Sequence, residues 1–303
     1  MIVYLALSYC CPRRIRDIKL EYKEFGKSKF KVSAIGMGTY YDVMSIIGSK
    51  TVRYYRGKGE KIAALRKGIE MGINLIDTAE IYCTEDLVGD AVKNFKRDEL
   101  FIATKVWPSH LRYDDLLAAA DRSLKKLRCS YIDLYQIHWP SSRVPITETM
   151  KAMEKLIDEG KVRYVGVSNF SLPQMIEAQE ALSKYDLVSS QVEYNLLVRD
   201  VEKGLLQYCN NNDIAILAYR PIAHGALSKP RGSLRKEMEA ISKEHGGKSP
   251  AQIALNWLLS RSRMIFPIPR ASKPARVIEN VGGVGWTLSQ EEVLRLMEAV
   301  NKV

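Results

Sequence analysis

The sequence predicts an α/β fold, a (β/α)8 TIM barrel with an N-terminal β-hairpin and an extra C-terminal helix. Three observations lead there. Eight short apolar runs alternate with helical patterns along most of the chain. The runs are rich in Ile, Val, Leu and Tyr, as parallel strands buried on both faces must be. Eight such units in about 270 residues is the size of a barrel of this kind. The rival is a doubly wound Rossmann sheet, which wants GxGxxG after its first strand. "GMGTY" (36–40) keeps only the first two glycines.

The elements follow in order. "YKEFGKSKFKVS" (22–33) nearly alternates around GKS, and predicts a hairpin closing the barrel bottom. The strands are SAIGM (33–37), INLID (73–77), LFIATK (100–105), YIDLYQI (131–137), VRYVGVS (162–168), LVSSQVE (187–193), IAILAY (214–219) and MIFPI (264–268). Helical patterns lie near 60–71, 84–96, 113–128, 145–159, 171–184, 201–212, 249–260 and 273–281. The period of 3.6 is clearest in "YDDLLAAADRSLKKL" and "PAQIALNWLLS". "SLPQM" opens a helix with a serine cap, and Pro173 sits in its first turn. Ser289 before Glu292 has capping-box spacing and starts the closing helix. The longest loops expected are Tyr40 to Gly59 and Ile222 to about Leu234. No stretch reads as a linker, so residues 21–303 are expected to form one domain behind an N-terminal extension, 1–20.

Composition excludes several classes. No apolar run approaches the ~20 residues of a membrane span. The chain starts MIVYLALSYC and continues CPRRIR; a signal peptide would carry charge before its apolar run and small residues after it. The five cysteines form no CxxC pair and no zinc spacing, which suits free thiols, a cytoplasmic protein and no metal. The net charge is +11, but Lys and Arg are interleaved with Glu and Asp. No Arg-rich tail or aromatic ladder points to nucleic acid. A phosphate-bearing ligand would use a few of these charges.

In such a barrel the chemistry sits at the C-terminal strand ends. Strand two ends at Asp77, with Tyr82 just beyond. Strand three ends in Lys105, and strand four is followed by His138. Alone, each has a bland reading: a loop cap, a solvated lysine, a packing histidine. Together they fall at three successive strand ends, roughly 5 Å apart in a closed barrel. A lysine near the phenol would lower its pKa, and a carboxylate would hold the lysine. The histidine would orient a carbonyl oxygen. The set makes a proton donor aimed at a carbonyl gaining negative charge. No side chain supplies hydride, so a cofactor must. Tyr40, Trp107 and Trp139 are expected to line an apolar substrate pocket.

"GINLIDTAEIY", "ATKVW", "YIDLYQIHWP", "GKVRYVGVSNF", "QVEYNLL" and "IPRASKPARVIEN" resemble the aldo-keto reductases from about Tyr22 to the last helix. That family is a (β/α)8 barrel binding a nicotinamide cofactor without a Rossmann fold. The resemblance implies that Tyr82 is the general acid for carbonyl reduction and the base for alcohol oxidation. Asp77 and Lys105 would tune it, and His138 would orient the carbonyl. NADPH/NADP+ is the implied cofactor. Gly38 and Thr39 would lie beside it, with Asp77 close by. Ser168, Asn169 and Gln191 would hold the carboxamide, and Tyr219 would stack on the nicotinamide. Arg220, Ile222, Arg270, Ser272 and Arg276 resemble the phosphate sites; Glu279 and Asn280 resemble adenine contacts. Relatives that reduce a conjugated alkene carry glutamate at the position of His138, so carbonyl reduction is expected.

The chain departs from the family in places. Arg270-Ala271 stands where Lys-Ser is common, and Ser272 is the nearest substitute hydroxyl. Arg220 stands where many relatives have serine. The 40–59 loop matches no pattern, which leaves the substrate open. The leading expectation is an NADPH-dependent reductase of small aldehydes or ketones, monomeric or weakly oligomeric. The alternative is a cofactor-binding regulatory or scaffold subunit on the same fold.

Overall fold

The computed structural model describes residues 20–41 and 57–301. The expectations for the N-terminal extension and for most of the 40–59 loop lie outside the described residues.

A hairpin comes first. β1 (Tyr22–Glu24) pairs antiparallel with β2 (Lys31–Ser33). Its turn carries Phe25 and is fixed by Gly26, whose φ of 53° and packing against the Asp213 carbonyl suit only glycine. The Phe25 ring packs, tilted, at 4.7 Å from Phe101 and at 5.0 Å from Phe266. With Val32, Leu75, Leu134, Val188 and Leu217 these rings form the inner core. The hairpin therefore plugs the bottom of the barrel, as its apolar alternation predicted.

The barrel follows. β3 (Met37–Gly38), β4 (Leu75–Asp77), β5 (Phe101–Val106), β6 (Ile132–Ile137), β7 (Val162–Ser168), β8 (Leu187–Glu193), β9 (Ala215–Tyr219) and β10 (Ile265–Pro267) lie in sequential order, all pairs parallel. Gly38 bridges to Arg270, and the Gly36 N–H donates to Pro267 at 2.8 Å, closing the seam. A side chain at Gly38 would strike the Ile268 carbonyl at 2.8 Å. Gly38, expected beside a cofactor, thus has a structural task of its own.

Every residue of β5 and β6 is buried. Alternate residues face the inner core or the surrounding helices. Phe101 and Ala103 belong to the inner cluster; Ile102 and Val106 belong to the outer one. Lys105 therefore points inward, and so does Asp77, two residues after inner Leu75.

The outer layer consists of α1 (Lys58–Glu70), α2 (Glu85–Val92), α3 (Tyr113–Leu127), α4 (Ile146–Asp158), α5 (Leu172–Glu180), α6 (Leu205–Asn211), α7 (Gly232–Glu244), α8 (Pro250–Arg261), α9 (Pro274–Val281) and α10 (Gln290–Asn301). In α3, Leu116, Ala119, Ala120, Ser123 and Leu127 make the buried stripe. Ser171 and Ser249 each close a capping box with the glutamine three residues on. Ser289 and Glu292 do the same for α10. Helix α7 replaces part of the loop expected from Ile222 to Leu234 and extends well beyond it. Its buried stripe is thin: Leu234, Met238 and Ile241. Among the described residues no helix is long and apolar enough to cross a membrane. Also among them, no cluster of residues suits a metal, and Cys83, Cys129 and Cys209 are free thiols.

Candidate active site

Four side chains from successive strand ends meet at the barrel mouth. The Lys105 Nζ donates to both Asp77 oxygens, at 2.7 and 2.9 Å, and to the Thr78 carbonyl at 2.8 Å. Gln191 from β8 adds a bond to Asp77 Oδ2 at 2.9 Å. Asp77 is thus held by three donor contacts in a buried setting. Thr39 is buried and donates to the Asp77 carbonyl at 3.0 Å. Its hydroxyl also meets Thr84 at 2.9 Å, and Thr84 meets Thr78 at 2.9 Å. Thr39 therefore braces the β4 end.

Tyr82 closes a short 3-10 turn, Glu80–Tyr82. Its hydroxyl lies 3.4 Å from His138 Nε2. Lys105 Nζ sits over the Tyr82 ring, 4.9 Å from its centroid. The ammonium therefore spends its donors on Asp77 and Thr78, and lies over the ring face. This corrects the expectation that Lys105 would lower the phenol pKa. Burial, and then the Asp77 carboxylate, hold Tyr82 well above its ordinary value. Burial pulls Lys105 below the usual lysine value, while Asp77 pushes it back up.

Burial and then the Lys105 ammonium push His138 down to about 3. The imidazole is neutral at any ordinary pH. Its Nδ1 is buried and without a partner among the described residues. A buried N–H with no acceptor is costly. We therefore assign the proton to Nε2, the nitrogen facing Tyr82.

The other residues named from the sequence lie on neighbouring strand ends, loops and α9. The Tyr40 ring lies 5.0 Å from Tyr82, and Trp107 meets His138 edge to face at 5.3 Å. Trp139 is 44% exposed and makes no ring contact among the described residues. On the other side, Asn169 adopts φ 62° and donates to the His138 carbonyl and the Ser168 hydroxyl, both at 3.0 Å. The Tyr219 hydroxyl donates to Asn169 Oδ1 at 2.9 Å, which fixes its half-exposed ring at the end of β9. Arg220 pairs with Glu193 at 2.9 Å, and Ile222 packs on the outer core. Arg270 follows the seam; it makes no ion pair among the described residues and its charge reaches buried Tyr41. Ser272 is half-buried and Asn280 is buried. In α9, Arg276 pairs with Glu279 at 2.5 Å, and Glu279 also accepts from Ser249 at 3.2 Å.

These groups have the chemistry to hold a nicotinamide dinucleotide. A fixed aromatic face lies beside amide and hydroxyl groups, and exposed guanidinium groups follow the adjacent strands β9 and β10. Three side chains escaped sequence reasoning: Glu80, Thr84 and Glu193. Glu80 and Thr84 flank Tyr82 in sequence, the one signal that would have found them.

Comparison with known proteins agrees with this fold. A family model described as the aldo/keto reductase family matches residues 46–301. A methylglyoxal reductase from Escherichia coli K12 is 34% identical, over 88% of this chain and 90% of that protein. A crystal structure of a thermostable aldo-keto reductase with the inhibitor epalrestat superposes with a TM-score of 0.84 at 39% identity, covering 92% of this chain and all of that one. An aldo/keto reductase from Klebsiella pneumoniae, solved with NADP and acetate, gives a TM-score of 0.78 at 31% identity, over 90% and 93% of the two chains.

Proposed function

The chain belongs to the aldo/keto reductase family, and from that premise we infer that it uses NADPH to reduce small aldehydes or ketones to alcohols. The observation that carries this reading is the convergence of Asp77, Lys105, Tyr82 and His138 at one mouth of the barrel.

When bound, NADPH supplies the hydride that adds to the carbonyl carbon. The side chains do the rest. Burial keeps the Tyr82 phenol protonated, the state a general acid needs. Its O–H gives the proton to the carbonyl oxygen as that atom gains negative charge. The neutral His138 donates from Nε2 to the same oxygen and stabilises the developing charge. Asp77 and Lys105 neutralise each other and fix the floor of the site. Tyr219 would cover one face of the nicotinamide, while Ser168, Asn169 and Gln191 offer polar groups to its carboxamide. For Gln191 this means sharing the amide that now serves Asp77. Arg220, Arg270 and Arg276 would take the phosphates.

Tyr40 and Trp107 flank the reacting pair, so the pocket favours apolar carbonyl compounds. The likeness to a methylglyoxal reductase makes methylglyoxal the first compound to try. The test is NADPH oxidation, followed by absorbance, against methylglyoxal and a series of aliphatic and aromatic aldehydes. Carbonyl-dependent oxidation is expected. NADPH binding without turnover on any carbonyl would replace this reading with that of a regulatory subunit.

A further inference from the structure

We propose that Glu80 is a positioning residue of this site: its one carboxylate ties the loop carrying Tyr82 to the loop carrying Trp107, and thereby fixes His138 between them. The proposal rests on the reading of Tyr82 and His138 as reacting groups.

Glu80 opens the turn that ends in Tyr82. Its Oε2 accepts the Trp107 backbone N–H at 3.1 Å, at the point where β5 ends. His110, in the short turn after Trp107, places Nδ1 2.9 Å from Oε1 and 3.1 Å from Oε2. Arg122 of α3 approaches Oε1 at 3.4 Å. The Glu80 side chain is only 12% exposed. Burial alone would raise its pKa, but the His110 and Trp107 hydrogen bonds, with the nearby His110 charge and the Arg122 contact, together hold it below the usual carboxylate range. The carboxylate therefore stays charged, and charge-assisted hydrogen bonds are the stronger kind.

The rings complete a circuit. Tyr82 meets His138 at 5.3 Å and 82°, and Trp107 meets the same imidazole at 5.3 Å and 87°. The Trp107 backbone returns to Glu80, two residues from Tyr82. Among the described residues, no other side-chain hydrogen bond joins residues 80–83 to residues 107–111. The backbone frame of β4, β5 and β6 would survive opening the circuit at Glu80, but the side-chain link between the two loops would be lost. A misplacement of about 1 Å in an active site can cost about 10²-fold in rate. A mere folding brace would lower stability and leave the turnover of folded enzyme unchanged.

The test compares Glu80→Ala with Glu80→Gln, which keeps an acceptor for the Trp107 N–H. Glu80→Ala should lower kcat at least about tenfold, with NADP+ affinity within about twofold of wild type. Glu80→Gln should recover part of the loss, since it keeps the Trp107 N–H acceptor but not the charge. Trp107 fluorescence, isolated by subtracting the matching Trp107→Phe variant, should shift in Glu80→Ala and not in Glu80→Gln. Wild-type kcat in folded Glu80→Ala would overturn the proposal. So would equal losses in both variants with unshifted Trp107 emission. If Glu80→Ala does not fold, His110→Ala carries the test, removing one outer holder. It should lower kcat about two- to fivefold and shift Trp107 emission; no change in either overturns the proposal. A wild-type protein that turned over no carbonyl would sink the functional reading instead, and the emission comparison would still test the clamp.

Discussion

At the proposed catalytic centre, Lys105 is fully buried and commits its donors to Asp77 and Thr78; at the proposed phosphate edge, Arg276 is 67% exposed and holds Glu279 on the surface of α9. Both are cations paired with a carboxylate at the same end of the barrel. They differ in what they can do next. Parting the buried pair would leave two desolvated charges, a strongly unfavourable state. Parting the exposed pair costs about 0–1 kcal/mol. The centre is therefore preorganised, and chemistry there depends on groups that do not move. At the edge, by contrast, exchanging the internal partner for a ligand would cost little.

The largest expected effect is at the centre. Tyr82→Phe keeps the ring against Tyr40 and His138 and removes only the proton. General acid catalysis is worth about 10² to 10⁴ in rate. We expect kcat for aldehyde reduction to fall by that factor while NADP+ affinity, read by fluorescence quenching, stays within about twofold. Retention of most of the wild-type kcat would remove Tyr82 from the role of acid.

The contrast between the two regions also separates what was legible in the sequence from what was not. The strands were legible because burial on both faces leaves uninterrupted apolar runs, as in YIDLYQI. The tetrad was legible because strand ends are fixed points once the barrel is recognised. Helix α7 was missed because its three buried apolar residues sit among charges, after a stretch that reads as a loop. Glu80 was passed over because its partners Trp107 and His110 lie 27 and 30 residues away. The sign of the Tyr82 shift was misread for a related reason. Sequence names Lys105 as a neighbour but does not say where its donors go. The Arg276–Glu279 pair was legible in principle, since charges three apart on a helix face each other.

A second effect at the centre is on stability rather than rate. His138 has a folded pKa of about 3 against an ordinary 6.5. Between these values the unfolded chain binds a proton that the folded chain refuses. Stability therefore falls as pH drops below 6.5, by up to about 1.4 kcal/mol per pH unit from this group. His138→Gln cannot take up that proton. Urea denaturation at several pH values between 7 and 4.5 should show wild type losing stability faster than the variant, by about 2–3 kcal/mol over the range. Carboxylates titrate in both proteins and cancel in the difference. Parallel curves would mean that His138 is not held neutral by its surroundings.

The smallest effect belongs to the edge, and it tests whether that region exchanges partners. NADPH differs from NADH by one phosphate, which carries up to about two negative charges. Arg276 pairs with Glu279, so a phosphate taken up by this arginine would have to displace a carboxylate. That exposed pair is worth at most about 1 kcal/mol. A charge-assisted contact to phosphate is worth about 1.5–3 kcal/mol, so the exchange is downhill. Arg270, next to the barrel seam, makes no competing ion pair among the described residues. Arg276→Ala should therefore weaken NADPH binding about tenfold and leave NADH nearly unchanged. Glu279→Gln frees the guanidinium and should raise the preference for NADPH over NADH by less than about fivefold. Dissociation constants for both cofactors, measured at one salt concentration, decide the matter. Equal weakening of both by Arg276→Ala would make this arginine a brace of α9, and the edge would then be as fixed as the centre.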